Sequence, residues 1–96
     1  MKSHAFLIKQ ALLVNYFVSV WDGEEWAVNN SSDEAEILDH AEGCEMSTVV
    51  VTDSNKIRKA SASVMLDGDE KYTIIDYVED YPFFEKVIDL WEEIYD

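Results

Sequence analysis

Hydrophobic and polar positions change their period several times along this chain, and each change marks an element. Between Ser3 and Val14, Leu7, Ile8, Ala11 and Leu12 recur at helical spacing while Lys9 and Gln10 fall on the opposite side. The spacing predicts a short helix that Asn15 ends, with a strand as the competing assignment. Tyr16 to Trp21 is then aromatic and β-branched, Asp22-Gly23 is a turn signal, and Trp26-Ala27-Val28 resumes the strand character. That combination predicts a hairpin. Ser31 and Glu34 have capping-box spacing, and Ile37, Leu38 and Ala41 form an apolar stripe that Gly43 can stop. A helix of about three turns is expected there.

From Ser47 the pattern is that of strands. Thr48 to Thr52 is a β-branched run closed by the turn residues Asp53-Ser54-Asn55. From Ile57 to Leu66, Ala60, Ala62, Val64 and Leu66 alternate with Lys59, Ser61 and Ser63. Asp67-Gly68-Asp69 is a further turn, leading into the β-rich stretch Tyr72 to Val78. The chain closes on a helix in which Asp80 is the expected cap and Pro82 sits in the first turn. Phe83, Phe84, Val87, Ile88, Leu90, Trp91, Ile94 and Tyr95 make its wide apolar face. The order α-β-β-α-β-β-β-α with short connections predicts an α+β fold. It is a single antiparallel sheet of about five strands with helices packed on it, one domain spanning residues 1–96.

Composition narrows the class. The 96 residues include 21 Asp and Glu against seven Lys and Arg, a formal net charge of −14. Three Trp, four Phe and five Tyr separate the chain from disordered acidic tails, which are poor in aromatics. One cysteine, Cys44, excludes an intramolecular disulfide framework and fits a reducing compartment. The apolar run Ala5 to Val14 behind Lys2 is interrupted by Lys9 and Gln10 and lacks a small-residue cleavage site, unlike a signal peptide. No run approaches the roughly 20 apolar residues of a membrane span. A negative surface is repelled by nucleic acid and by anionic lipid. The expectation is a cytoplasmic protein of a bacterial host cell that binds neither nucleic acid nor membrane directly.

The closing helix carries the sharpest functional clue. Asp76 to Asp96 holds eight acids and one lysine, Lys86. On one reading Glu85, Asp89, Glu92, Glu93 and Asp96 are only the solvated face of an amphipathic helix. On the other they serve a cationic partner. Glu85, Asp89, Glu92 and Asp96 step by four, three and four residues and so line one edge, with neighbours about 5–6 Å apart along the axis. Like charges at these spacings cost about 0.2–0.5 kcal/mol per pair. Acids in the last turn oppose the helix dipole by about 0.3–1 kcal/mol each. Lysine at half of these positions would serve solubility and favour the helix, so repeated acids favour the partner reading. Asp76, Glu79 and Asp80 before this helix, and Asp33, Glu36 and Asp39 on the middle one, complete the candidate partner-binding set. Further acids stand at Asp22, Glu24 and Glu25, at Glu34, Glu42 and Glu45, and at Asp67, Asp69 and Glu70.

Catalytic chemistry is not written into the chain. His4 and His40, the only imidazoles, are expected as isolated surface residues, and Cys44 as a buried or inert thiol. Two His and one Cys lack zinc spacing, and Asp67-Gly68-Asp69-Glu70 lacks the calcium-loop pattern. There is no GxGxxG, P-loop or nucleophile elbow. The expectation is a protein that is not an enzyme, with no cofactor and no metal. Among the aromatics, Trp21 and Trp26 are expected to pair across strands in the core. Trp91, Tyr95, Tyr77, Tyr81 and Phe84 exceed the needs of one small core, leaving some as an anchor for a partner or for a homodimer.

The run Val18-Ser-Val-Trp-Asp-Gly-Glu-Glu-Trp-Ala-Val28, with Ser31-Ser-Asp33 and Ile37-Leu38, resembles a segment of short uncharacterised phage and prophage proteins. The stretch Val64-Met-Leu66 to Ile75-Asp-Tyr77, then Asp80, is similar to a later part of them. Here Asp67-Gly68-Asp69-Glu70 largely replaces the glycines usual between those strands. In size and charge alone the chain is also similar to phage-encoded DNA mimics such as uracil-DNA glycosylase inhibitors, anti-restriction proteins and anti-CRISPR proteins. The resemblance implies a mobile genetic element and an inhibitor whose partner is a positively charged, nucleic-acid-binding enzyme or complex. Three rivals stand beside it: an immunity protein neutralising a basic toxin such as a nuclease, an oligomerising phage structural or regulatory protein, and a small enzyme or metal protein whose pocket would unite His40, Cys44 and acids.

Overall fold

The computed structural model describes residues 1–66 and 71–95. Eight elements follow in the order α1 (Ser3–Leu13), β1 (Phe17–Trp21), β2 (Trp26–Ser31), α2 (Glu34–Ala41), β3 (Met46–Thr52), β4 (Arg58–Met65), β5 (Ile74–Tyr77) and α3 (Pro82–Tyr95). The strands form one antiparallel sheet, ordered β2-β1-β3-β4-β5. This is the α+β class expected from the sequence.

Local chemistry sets the boundaries. α1 stops because Asn15 takes a left-handed conformation at φ 63°, which lets the Asn15 N–H reach Leu12 O and the Tyr16 N–H reach Ala11 O. These are the paired bonds of a Schellman ending. Between β1 and β2, the Asp22 carboxylate accepts from the Glu24 and Glu25 N–H groups, each at 2.8 Å. Gly23 supplies the φ of +106° that this turn requires. α2 is capped by Asp33, whose side chain accepts from the Glu36 N–H. Ser31 instead ends β2 and holds the Asp33 N–H, so the capping box at Ser31 and Glu34 is not formed. The helix spans eight residues, about two turns rather than three. At Gly43 a Cβ would stand 3.0 Å from the Asp39 carbonyl oxygen, a tight contact that the backbone would have to relieve by a small shift. Asp80 is likewise not the cap of α3. It adopts φ 74°, and the first helical bond runs from the Glu85 N–H to Tyr81 O.

All three helices lie on one face of the sheet. Val18, Val20, Val28, Val49, Val51, Ala60, Ala62, Val64 and Ile74 form the inner surface, packed against Leu7, Ile8, Ala11, Ile37, Ala41, Phe84, Val87 and Trp91. α2 covers β2, β1 and β3, α3 covers β4, and α1 lies between the two and touches both. The small Ala60 and Ala62 on β4 make room for the rings that α3 carries. The other face carries Ser19, Thr48, Val50, Thr52, Ser61 and Ser63, of which Ser19, Val50, Thr52 and Ser61 are nonetheless buried.

Strand alternation also corrects the tryptophan pair. Val20 points inward, so Trp21 points to the other face, where it meets Trp26 edge-to-face at 5.1 Å. Trp26 is 43% exposed, and the pair is a surface pair rather than a core one. On α3, Phe84, Val87 and Trp91 are buried, whereas Leu90 and Ile94 face solvent because the apolar arc is wider than α1 and the sheet can cover. The turn expected at Asp67-Gly68-Asp69 lies outside the described residues.

Candidate functional site: an uncompensated acidic surface

Every candidate carboxylate within the described residues is exposed: Asp33, Glu36, Asp39, Asp76, Glu79, Asp80, Glu85, Asp89, Glu92 and Glu93. Asp96 lies outside them. The fold does not gather them into a single row. Asp33, Glu36 and Asp39 belong to the α2 flank, Glu85, Asp89, Glu92 and Glu93 to the α3 flank, and α1 with its exposed Lys9 runs between. Asp33 and Asp76 have local duties as well, the first as helix cap and the second accepting from the Tyr77 N–H at 2.9 Å. Glu85 and Asp89 rim a shallow groove of about 180 Å³ floored by Tyr77, Phe84 and Ile88. Tyr77 is stacked on Phe84 there, with centroids 4.7 Å apart, and is 44% exposed.

A second convergence was not among the candidates. His4 at the start of α1 touches Glu42 at the end of α2, and the Trp91 Nε1–H of α3 donates to Met1 O. The ends of α2 and α3 therefore meet the beginning of α1. Asp22 at the hairpin turn stands beside Asp39 near the end of α2. In sequence His4 and Glu42 are 38 positions apart, and Met1 and Trp91 are 90. Only the antiparallel packing of helices and strands unites them. Backbone N–H groups of Glu25 and Glu24 hold the Asp22 carboxyl below the ordinary carboxylate range, which keeps it ionised.

Few cations answer these charges. Among the described residues, Lys59 and Asp53 make the one ion pair between a lysine or arginine and a carboxylate, at 3.7 Å. The Asp53 carboxyl is held below its ordinary range first by the Ile57 N–H, with Asn55 and Lys59 assisting.

His4 corrects an expectation outright. Rather than standing on the surface, it is fully buried in a four-residue network. Its Nδ1 lies 2.8 Å from Thr73 Oγ1 and its Nε2 lies 2.8 Å from Glu42 Oε2. The valences assign every proton. Ser3 Oγ accepts from the Thr73 and Ile74 N–H groups, so its own hydrogen goes to Thr73 Oγ1 at 3.1 Å. Thr73 Oγ1 also accepts from the His4 N–H at 3.0 Å, which fills both lone pairs. Its hydrogen must then go to Nδ1, leaving Nε2–H to donate to Glu42. The imidazole is neutral, in agreement with burial lowering its pKa against the opposing pull of Glu42. Thr73 is completely buried, so this chain ties α1 to the start of β5 and offers no nucleophile to solvent. A helical spacing that puts position 4 beside Leu7, Ile8 and Ala11 was the signal available for it.

His40 is exposed, as expected, and lines a depression with Asp22, Asp39 and Cys44. The half-buried Cys44 Sγ contacts the His40 carbonyl oxygen at 3.8 Å rather than the ring. Among the described residues no three His, Cys, Asp or Glu side chains are arranged to hold a metal ion. No helix among them is long and apolar enough to cross a membrane. Comparisons with protein-family models, with curated proteins and with solved structures return no significant match.

Proposed function

We propose that this chain is a non-enzymatic acidic binding protein, phage-encoded, that inhibits a host nucleic-acid-binding defence or repair machine by imitating the charge of DNA. The observation that carries the reading is the charge imbalance: 21 Asp and Glu stand against seven Lys and Arg, so no more than seven carboxylates can be matched one-to-one by a base. Net charge of this size works against a compact state through self-repulsion. A surface built for solubility alone would intersperse both signs. The longest extent is 33 Å, and dividing it by 14 net charges gives one charge per about 2.4 Å. Duplex DNA carries one per ~1.7 Å of axis, a comparable density. The target of such a surface is a channel lined with lysine and arginine.

The test is affinity capture from a bacterial lysate at low and high salt, followed by competition with duplex DNA for the captured protein. Capture is expected to fail at high salt, because exposed charges are screened within about 8 Å already at physiological ionic strength. Replacing Glu85, Asp89, Glu92 and Glu93 with their amides should abolish capture. It should also leave the fold intact and slightly more stable, by about 0.2–0.5 kcal/mol per relieved pair. A tetra-amide variant that still inhibits would overturn the assignment to this flank.

A further inference from the structure

We propose that the chain binds a small organic phosphate of the nucleoside monophosphate class in the cavity where α3 begins. This inference is independent of the acidic surface and concerns a site of opposite sign. The cavity has a volume of about 320 Å³, within the range of about 300–1,000 Å³ usual for small-molecule sites. Its charged lining consists of Arg58, Lys59 and Lys86, three of the seven bases in the chain. Acids outnumber bases three to one in the sequence, yet no carboxylate lines this space. Lys59 is held by Asp53 at 3.7 Å, whereas Arg58 and Lys86 make no ion pair among the described residues. Cations left unpaired together in so acidic a protein carry mutual repulsion that a bound dianion relieves.

The remaining walls are aromatic. Tyr16 and Tyr81 are half-buried at the cavity, and Phe83 meets Tyr16 edge-to-face at 5.1 Å. Pro82 opens α3 at the same point, so the positive end of the helix dipole adds to the three side chains. A planar ring stacked on tyrosine and a phosphate gripped by guanidinium and ammonium groups is the ligand that uses both halves of this lining. Binding takes place against a net charge of −14, so affinity comes from direct contact and not from long-range steering.

Titration of the whole protein with AMP, adenosine and inorganic phosphate tests the site, read by calorimetry and by backbone amide shifts. AMP is expected to bind and to move the amides of Tyr16, Arg58, Lys59, Tyr81 and Phe83. Adenosine and phosphate alone should each bind about tenfold more weakly or worse, since each loses one half of the contacts. Arg58 and Lys86 are exposed, so the double variant R58Q/K86Q should unfold at the wild-type temperature and bind AMP about tenfold more weakly. Absence of binding at millimolar AMP, equal binding of adenosine, shifts confined to another surface, or unchanged affinity in the double variant would each overturn the proposal.

Discussion

Replacing Thr73 with valine removes one hydroxyl and almost no volume, and so isolates the network that holds α1 to β5. In the wild-type protein the Thr73 hydroxyl accepts from Ser3 and from the His4 backbone N–H, and it donates to His4 Nδ1. The variant leaves the Ser3 hydroxyl hydrogen, the His4 N–H and Nδ1 without their partner in a region from which water is excluded, since Ser3, His4 and Thr73 are all buried. Each buried group so orphaned costs about 1–3 kcal/mol. The sum for three groups is about 3–9 kcal/mol, a large part of the roughly 5–15 kcal/mol that holds a domain together. For a domain of this size, 1 kcal/mol moves the midpoint by about 4–8 °C, so a drop of at least ~10 °C is expected. Urea and thermal unfolding followed by circular dichroism measure it. Thr73→Ser keeps the hydroxyl and should recover most of the loss. A valine variant within about 0.5 kcal/mol of wild type would refute the proton assignment, because that is the range of inconsequential surface changes.

Two further outcomes follow from the same geometry. Burial holds the His4 pKa below its ordinary 6.5, so the unfolded chain takes up a proton that the folded one refuses. Stability from this group is therefore present above about pH 6.5 and is lost as the pH falls toward the folded-state value. Unfolding free energies measured across that window should decline more steeply for wild type than for His4→Gln, and equal slopes would count against a neutral buried imidazole. On α3, Phe84→Ala should cost about 3–5 kcal/mol because the ring is buried against the sheet and under Tyr77, while Ile94→Ser should stay within about 0.5 kcal/mol. Equilibrium denaturation of both variants checks the orientation of the helix.

The element order, the antiparallel sheet and most turn positions follow from sequence alone, because period and turn chemistry act over a few residues. Asn15, Gly23 and Pro82 each mark a boundary through their own backbone preferences. Alternation at Ala60, Ala62 and Val64 likewise identifies the inner face of β4 without knowledge of its neighbours. Other features depend on contacts between distant segments. His4 is buried only because Thr73 and Glu42, 69 and 38 residues away, supply its hydrogen bonds. Trp26 is exposed because the helices cover the other face of the sheet, and no pattern along β2 specifies which face that is. The acidic flanks on α2 and α3, and the basic cavity formed from the α1–β1 link, β4 and the start of α3, are products of packing. Charge is a property of residues and is visible in the chain, whereas a field or a binding site is a property of their arrangement. Only the fold could divide the carboxylates between the α2 and α3 flanks and collect Arg58, Lys59 and Lys86 around a cavity.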